Sequence, residues 1–329
     1  MTEPANPARE ASAAATPPTA PPVVPDHELI RVIGGGGSGQ VWLARNVLGT
    51  YRAVKIVYET PGHKRPFGGE LDGVMKFEPI SRQHDGLVDI LHVGGGEAAG
   101  CFYCVMELAD DISTGQNINP EHYRPRTLAH DLAERKHLPI GECIRLGAVI
   151  ASALGFLHRH GLIHRDIKPS NIIFVNGFPK LADTGLVAGM FEPSSYVGTE
   201  GFIAPEGPGT IQADIYSLGK VLYEISTGRD RNAYPELPAN LKDNREGRDL
   251  IQFNKIVVKA CRANPSQRYK SADEMMTDLL AFQFCRHDPR REKTRDLLTK
   301  LIAVGGICVA IGVFAIFLWR IIWLLLHGQ

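Results

Sequence analysis

The residues best equipped for chemistry lie at 164–171: His164, Arg165, Asp166, Ile167, Lys168, Pro169, Ser170 and Asn171. An acid, a lysine and an amide within six positions can handle protons and negative charge, although Asp, Lys, Pro and Asn in series also make an ordinary turn. Two distant features point the same way. Gly34, Gly36 and Gly39 fit the spacing GxGxxGxV with Val41 last, and missing side chains let backbone N–H groups approach phosphate oxygens. Lys55 sits inside the apolar run AVKIV, where a buried ammonium needs a partner or an anionic ligand, the alternative being an edge lysine turned to solvent.

These groups need elements to hold them. The octapeptide follows the apolar run 148–157 and precedes the apolar run 172–175, which reads as helix, loop, strand and places the polar residues where a scaffold displays function. The glycines lie between LIRVI and QVWLARN, and the strand YRAVKIVY follows, so the front of the chain reads as a small antiparallel sheet. A dinucleotide fold has similar glycine spacing but needs a helix after it, and strand-like sequence stands there instead. FGGELDGVMKF reads as a helix ending at Pro79; it offers Glu70 as the opposite charge for Lys55, with Glu78 as the rival. Glu70 is preferred because Glu78 immediately precedes the proline. LVDILHVG and CFYCVMEL form a further hairpin, residues 110–126 are polar and turn-rich, and TLAHDLAERKHL and CIRLGAVIASALGFLHRHG carry helical spacing. Strands first and helices later predict an α+β protein with a sheet-rich front lobe and a helical rear lobe.

Composition excludes several classes. The 36 basic residues balance the 36 acidic ones over 329 residues, which argues against a nucleic-acid binder. Six scattered cysteines make no disulfide framework. Cys101 and Cys104 have CxxC spacing, but they lie in a strand-like run with no second pair, so core packing is expected. Residues 1–26, rich in Ala and Pro, read as a disordered segment. At the other end, 286–300 is basic and 301–319 carries no charge, so 301–326 reads as one transmembrane helix. The basic flank predicts a cytoplasmic globular part with a C-terminal single-pass anchor. Arg320 is expected to snorkel to the distal interface beside Trp319 and Trp323, and Gly306 with Ala310 offers a small-residue contact for a homodimer.

Taken together, the glycine run, Lys55, HRDIKPSN and Asp183 resemble the motifs of eukaryotic-like (Hanks-type) bacterial serine/threonine protein kinases, and the resemblance covers residues 27–285. It implies a bilobal protein-kinase-like fold: an antiparallel N-lobe at 27–106, a hinge at 107–109 and a mostly helical C-lobe at 110–285. It also implies ATP and Mg²⁺ as cofactors, protein substrates as partners, and autophosphorylation in a homodimer as an option.

Residue by residue, the resemblance assigns Gly34, Gly36 and Gly39 to the phosphates and Lys55, oriented by Glu70, to the α- and β-phosphates. Ile33, Val41, Ala53 and Met106 join the nucleotide-binding set, and Glu107 through Ala109 match the hinge that meets adenine through backbone groups. Asp166 matches the catalytic aspartate that accepts the substrate hydroxyl's proton, and Lys168 the lysine that steadies the transferring phosphoryl group. Asn171 and Asp183 match the magnesium ligands, hard oxygens for a hard cation. Glu206, Asp214 and Arg268 match structural positions, Arg268 pairing with Glu206.

The family's Asp-Phe-Gly reads Asp183-Thr184-Gly185 here, which loses an aromatic contact and implies altered switching. Arg165 suggests control by a phosphate on Ser194, Ser195 or Thr199. A nucleotide-binding pseudokinase scaffold is the alternative function, and a transmembrane receptor is disfavoured by the few residues after the span.

Overall fold

A computed structural model describes residues 21–36, 39–59, 66–96, 100–183, 188–189, 198–239, 241 and 245–287. The expected span at 301–326, nearly all of the basic segment before it, Thr184, Ser194 and Ser195 lie outside the described residues.

The chain forms two compact units, one of residues 1–133 with 156–197 and one of 134–155 with 198–329. In the first, β1 (His27–Gly36), β2 (Gly39–Asn46), β3 (Tyr51–Tyr58), β4 (Ile90–Gly96) and β5 (Cys101–Met106) build one antiparallel sheet in the order β1-β2-β3-β5-β4. Register fixes which side chains meet, because residues opposite one another across a ladder share a face. Lys55 pairs with Val41 on one side and Cys104 on the other, so these three form one row; Leu43, Ala53 and Met106 form another. Val54 and Ile56 point away, into a core with Ala44, Cys101, Tyr103 and Val105. Cys101 and Cys104 are both buried free thiols on opposite faces of β5, as core packing requires. Val24, within the 1–26 segment read as disordered, is buried in that same core, and its carbonyl accepts from the His27 N–H at 3.2 Å.

The helix α1 (Glu70–Ser81) does not stop at Pro79 as expected but carries the proline inside it. Proline removes one N–H in the last turn only, and nearby donors hold that turn: Ser81 Oγ donates to the Glu78 carbonyl at 2.9 Å and the Gln83 amide to the Pro79 carbonyl at 2.9 Å. Further along come α2 (Leu128–Arg135), α3 (Ile140–Arg159), β6 (Leu162–Ile163), β7 (Ile172–Val175), β8 (Phe178–Leu181) and β9 (Ala188–Gly189). β7 and β8 form a hairpin and β6 pairs with β9, so the octapeptide hangs between two short ladders.

The second unit is helical, with α4 (Ile211–Thr227), α5 (Arg245–Ala260) and α6 (Ala272–His287). Thr210 caps α4 by accepting the Ala213 N–H at 3.0 Å. Gly147 on α3 faces Leu222 of α4 and Leu279 of α6, each within 3.2 Å of where a Cβ would stand, so a larger residue there would make the two leucine side chains give way. Among the described residues α3 alone has the length and apolarity of a membrane span, and it is mostly buried as a core helix.

Candidate active site

The charged residues that the sequence assigns to the nucleotide and to catalysis lie in the first unit. Lys55, 8% exposed in the centre of the sheet, donates from Nζ to Asp183 Oδ1 at 2.7 Å, and Glu70 Oε2 lies 4.0 Å from the same nitrogen. Glu78 is elsewhere engaged, accepting from Arg82 at 2.8 Å. Burial drives the Lys55 pKa down, but the Asp183 and Glu70 charges and the Asp183 hydrogen bond outweigh it and hold the ammonium above its ordinary value. Glu70 is pushed up to about 7, by burial first, which the Lys55 charge only partly offsets and the Asp183 charge reinforces. Asp183 is drawn the other way: burial would raise it, yet Lys55, His164 and Lys168 together leave it below the usual carboxylate range. Its backbone is left-handed, at φ 59°.

The octapeptide forms a second knot beside the first. Asp166 Oδ2 is held by Lys168 Nζ at 2.7 Å and by Asn171 Nδ2 at 2.9 Å, while the same amide also donates to the Asp166 carbonyl at 2.8 Å. This double grip sets the plane of a carboxylate that is only 6% exposed. It also turns the Asn171 amide nitrogen inward, toward Asp166. The Ala182 N–H donates to the Asn171 carbonyl at 2.9 Å, which fastens the residue before Asp183 to the end of the loop. Arg165 adopts φ 71°, a left-handed value that a long side chain rarely takes without surroundings that impose it.

The apolar members of the expected nucleotide set also converge. Ile33, Val41 and Met106 pack against a buried cluster of Leu43, Ala53, Leu108 and Tyr123. The glycines divide by role. Gly39 has φ +127°, and a Cβ there would stand 2.2 Å from the Ile56 carbonyl, so the fold itself demands glycine. At Gly34 a Cβ would meet, among the described residues, nothing nearer than Val41 Cβ at 3.9 Å, so their packing places no such demand.

Sequence reasoning assigned Glu107 to its backbone alone, yet its carboxylate accepts from Lys180 Nζ at 2.6 Å and from the Asp89 N–H at 2.8 Å, tying β8 to the segment after β5. It also passed over Tyr123. The available signal was a lone aromatic ring inside the polar run 110–126. In the second unit Arg268 grips Glu206 through two bonds at 2.6 and 2.8 Å, and Asp214 is buried in the first turn of α4.

The sequence profile of the protein kinase domain family matches residues 27–302. A probable serine/threonine-protein kinase of Clostridium perfringens, CPE1738, is 29% identical over 285 residues, covering 77% of this chain and 38% of that protein. Serine/threonine-protein kinase PrkC of Bacillus subtilis is 26% identical over 294 residues, covering 80% and 42%. Serine/threonine-protein kinase PknB of Mycobacterium leprae is 30% identical over 292 residues, covering 80% and 44%. The chain thus spans less than half the length of these relatives.

Proposed function

The chain belongs to the protein kinase domain family, and on that premise we propose that it transfers the γ-phosphoryl group of ATP to serine and threonine hydroxyls of proteins. The observation that carries this reading is the joining of Lys55 to Asp183 at 2.7 Å, with Glu70 at 4.0 Å and Asp166 held by Lys168 and Asn171 in the same unit.

Phosphoryl transfer asks the protein for placement and charge rather than covalent chemistry. Lys55 offers its ammonium to the α- and β-phosphates, and the Asp183 charge and hydrogen bond, with a smaller part from Glu70, keep it protonated. Room over the phosphates is consistent with Gly34, whose missing side chain no contact among the described residues requires. The Glu107 N–H is spent on the Asp89 carbonyl and the Ala109 carbonyl on the Tyr123 hydroxyl, whereas the Glu107 carbonyl and the Ala109 N–H have no backbone partner among the described residues and are the groups to meet adenine. Ile33, Val41, Ala53 and Met106 supply the apolar faces. Asp183 and Asn171 fit Mg²⁺, since a carboxylate held deprotonated and an amide oxygen are hard donors; the bound ion would neutralise phosphate charge. Asp166, its Oδ2 fixed from two sides, receives the proton of the attacking hydroxyl, and Lys168 offsets charge gathering on the transferred group.

Labelled ATP, Mg²⁺ and a generic basic protein, incubated with the purified full chain and beside Asp166→Asn, test the assignment. Transfer by the wild type alone supports it. Nucleotide binding without any transfer would hand the chain to the scaffold reading. The apolar run at 301–326, with the basic residues before it, further supports a membrane anchor with the kinase on the cytoplasmic side. Recovery of the full chain in the soluble fraction after cell lysis would remove that part.

A further inference from the structure

Residues 110–126 form a strap built to hold its shape. Its ends are pinned together, the Arg126 N–H donating to the Asp110 carbonyl at 2.7 Å and the Ile112 N–H to the Arg124 carbonyl at 3.0 Å. Inside it, Asp111 Oδ1 accepts from the Ser113 and Thr114 N–H groups at 2.9 and 3.0 Å, and Oδ2 accepts from the Arg124 N–H at 2.8 Å. Its base is moored to the turn between β7 and β8, where the Asn176 and Gly177 N–H groups donate to the Asp110 carboxylate at 2.8 and 2.7 Å.

The far part of the strap reaches two places that matter for a nucleotide. Arg31, three residues before Gly34 on β1, donates from Nε to the Pro120 carbonyl at 2.8 Å and from Nη2 to the Tyr123 carbonyl. Tyr123, 1% exposed, buries its ring in the cluster that Ile33, Val41 and Met106 pack against, with Ile118 beside it. Its hydroxyl donates to the Ala109 carbonyl at 3.1 Å. Among the described strands β1 lies at the sheet edge and pairs with β2 alone, so no second strand there resists its lifting. The strap does.

We propose that residues 110–126 clamp the glycine hairpin to the segment after β5 and thereby set the height of the nucleotide slot, with Arg31 and Tyr123 as positioning residues for ATP. This rests on the kinase reading for its ligand but not for its mechanics. Arg31→Gln removes a charged grip on two carbonyls, and Tyr123→Phe removes one hydroxyl while keeping the ring, so both leave the apolar cluster filled.

The test compares wild type, Arg31→Gln, Arg31→Lys and Tyr123→Phe in the full chain by two readouts. Amide hydrogen exchange without nucleotide should quicken at Val32–Gly34 and Gln40–Trp42 in Arg31→Gln, while β3 and β5 keep wild-type rates and so report intact folding. The KM for ATP should rise roughly 10–150-fold in Arg31→Gln, as loss of a bond to a charged donor predicts. The rise should be smaller in Tyr123→Phe and partly reversed in Arg31→Lys, with kcat and the KM for protein substrate little changed. Unaltered exchange in the hairpin of both folded variants overturns the clamp, as does a loosened hairpin with unaltered KM for ATP. If the wild type binds no ATP at all, the kinase reading fails, and the exchange result still decides whether the clamp exists.

Discussion

Arg268 in the second unit and Lys55 in the first are both buried cations, at 3% and 8% exposure, and their surroundings differ in completeness. Every donor of Arg268 is used: Nε on the Arg262 carbonyl, Nη1 on Glu206 and the Gln212 carbonyl, Nη2 on Glu206 and the Ala263 carbonyl, with the Tyr216 ring 4.9 Å away. Lys55 has three donors, yet among the described residues it makes one hydrogen bond, to Asp183. Glu70 stands at 4.0 Å, and its Oε2 is buried with no hydrogen-bond partner among the described residues. An unmet buried polar group costs stability unless something bound satisfies it, and on the proposed function the open places around Lys55 and Glu70 are those a nucleotide would fill. That contrast predicts that breaking either cluster has opposite consequences for activity and for stability.

The largest effect belongs to the open region. Asp166→Asn keeps the shape of the octapeptide, and an amide in place of the carboxylate cannot take a proton, so transfer should fall about 10²–10⁴-fold. Binding of nucleotide, measured by titration calorimetry, should stay within a factor of two or so of wild type. A variant that loses nucleotide binding to the same degree as transfer would show that Asp166 braces the site rather than serving the reaction.

Next come the two cations themselves. Arg268→Met strands Glu206 and three carbonyls, at a cost of about 3 kcal/mol or more in chemical denaturation. Lys55→Met should cost under about 1.5 kcal/mol, because Glu70 is already poised to take a proton and the Asp183 side chain is 36% exposed to water. Activity should reverse the order, with Lys55→Met losing transfer and the folded fraction of Arg268→Met retaining it. Equal destabilisation by the two variants would erase the distinction between closed and open pairs.

What the sequence disclosed and what it hid follow from the range of each interaction. HRDIKPSN and the glycines stand out as candidates because each packs its residue types into a short spacing, Lys55 because a charge interrupts an apolar run, and the order of strands before helices is legible from periodicity. Glu70 was separable from Glu78 only by a proline rule that α1 then disobeyed, since its last turn finds other donors. The strap escaped notice because Arg31 and Tyr123 are 92 positions apart, and no local pattern marks a guanidinium that will bind carbonyls at that distance. The two-residue strands β6 and β9 are likewise too short to carry a period of their own.

The smallest expected effect is the most specific to the open pair. Glu70 titrates near 7 in the folded chain against an ordinary 4.5, so between these values the folded state binds more protons than the unfolded one. Stability therefore falls as pH rises from about 4.5 to about 7, and the penalty is complete above that window, at most roughly 3 kcal/mol. Glu70→Gln cannot ionise and should escape it. Relative to wild type, the variant should gain stability steadily between pH 5 and about pH 7 and level off by pH 8 in urea titrations, whatever fixed offset the substitution brings. A difference between the two proteins that stays constant over that range would mean that Glu70 is already ionised at pH 5, and hence that Lys55 satisfies it as fully as Arg268 satisfies Glu206.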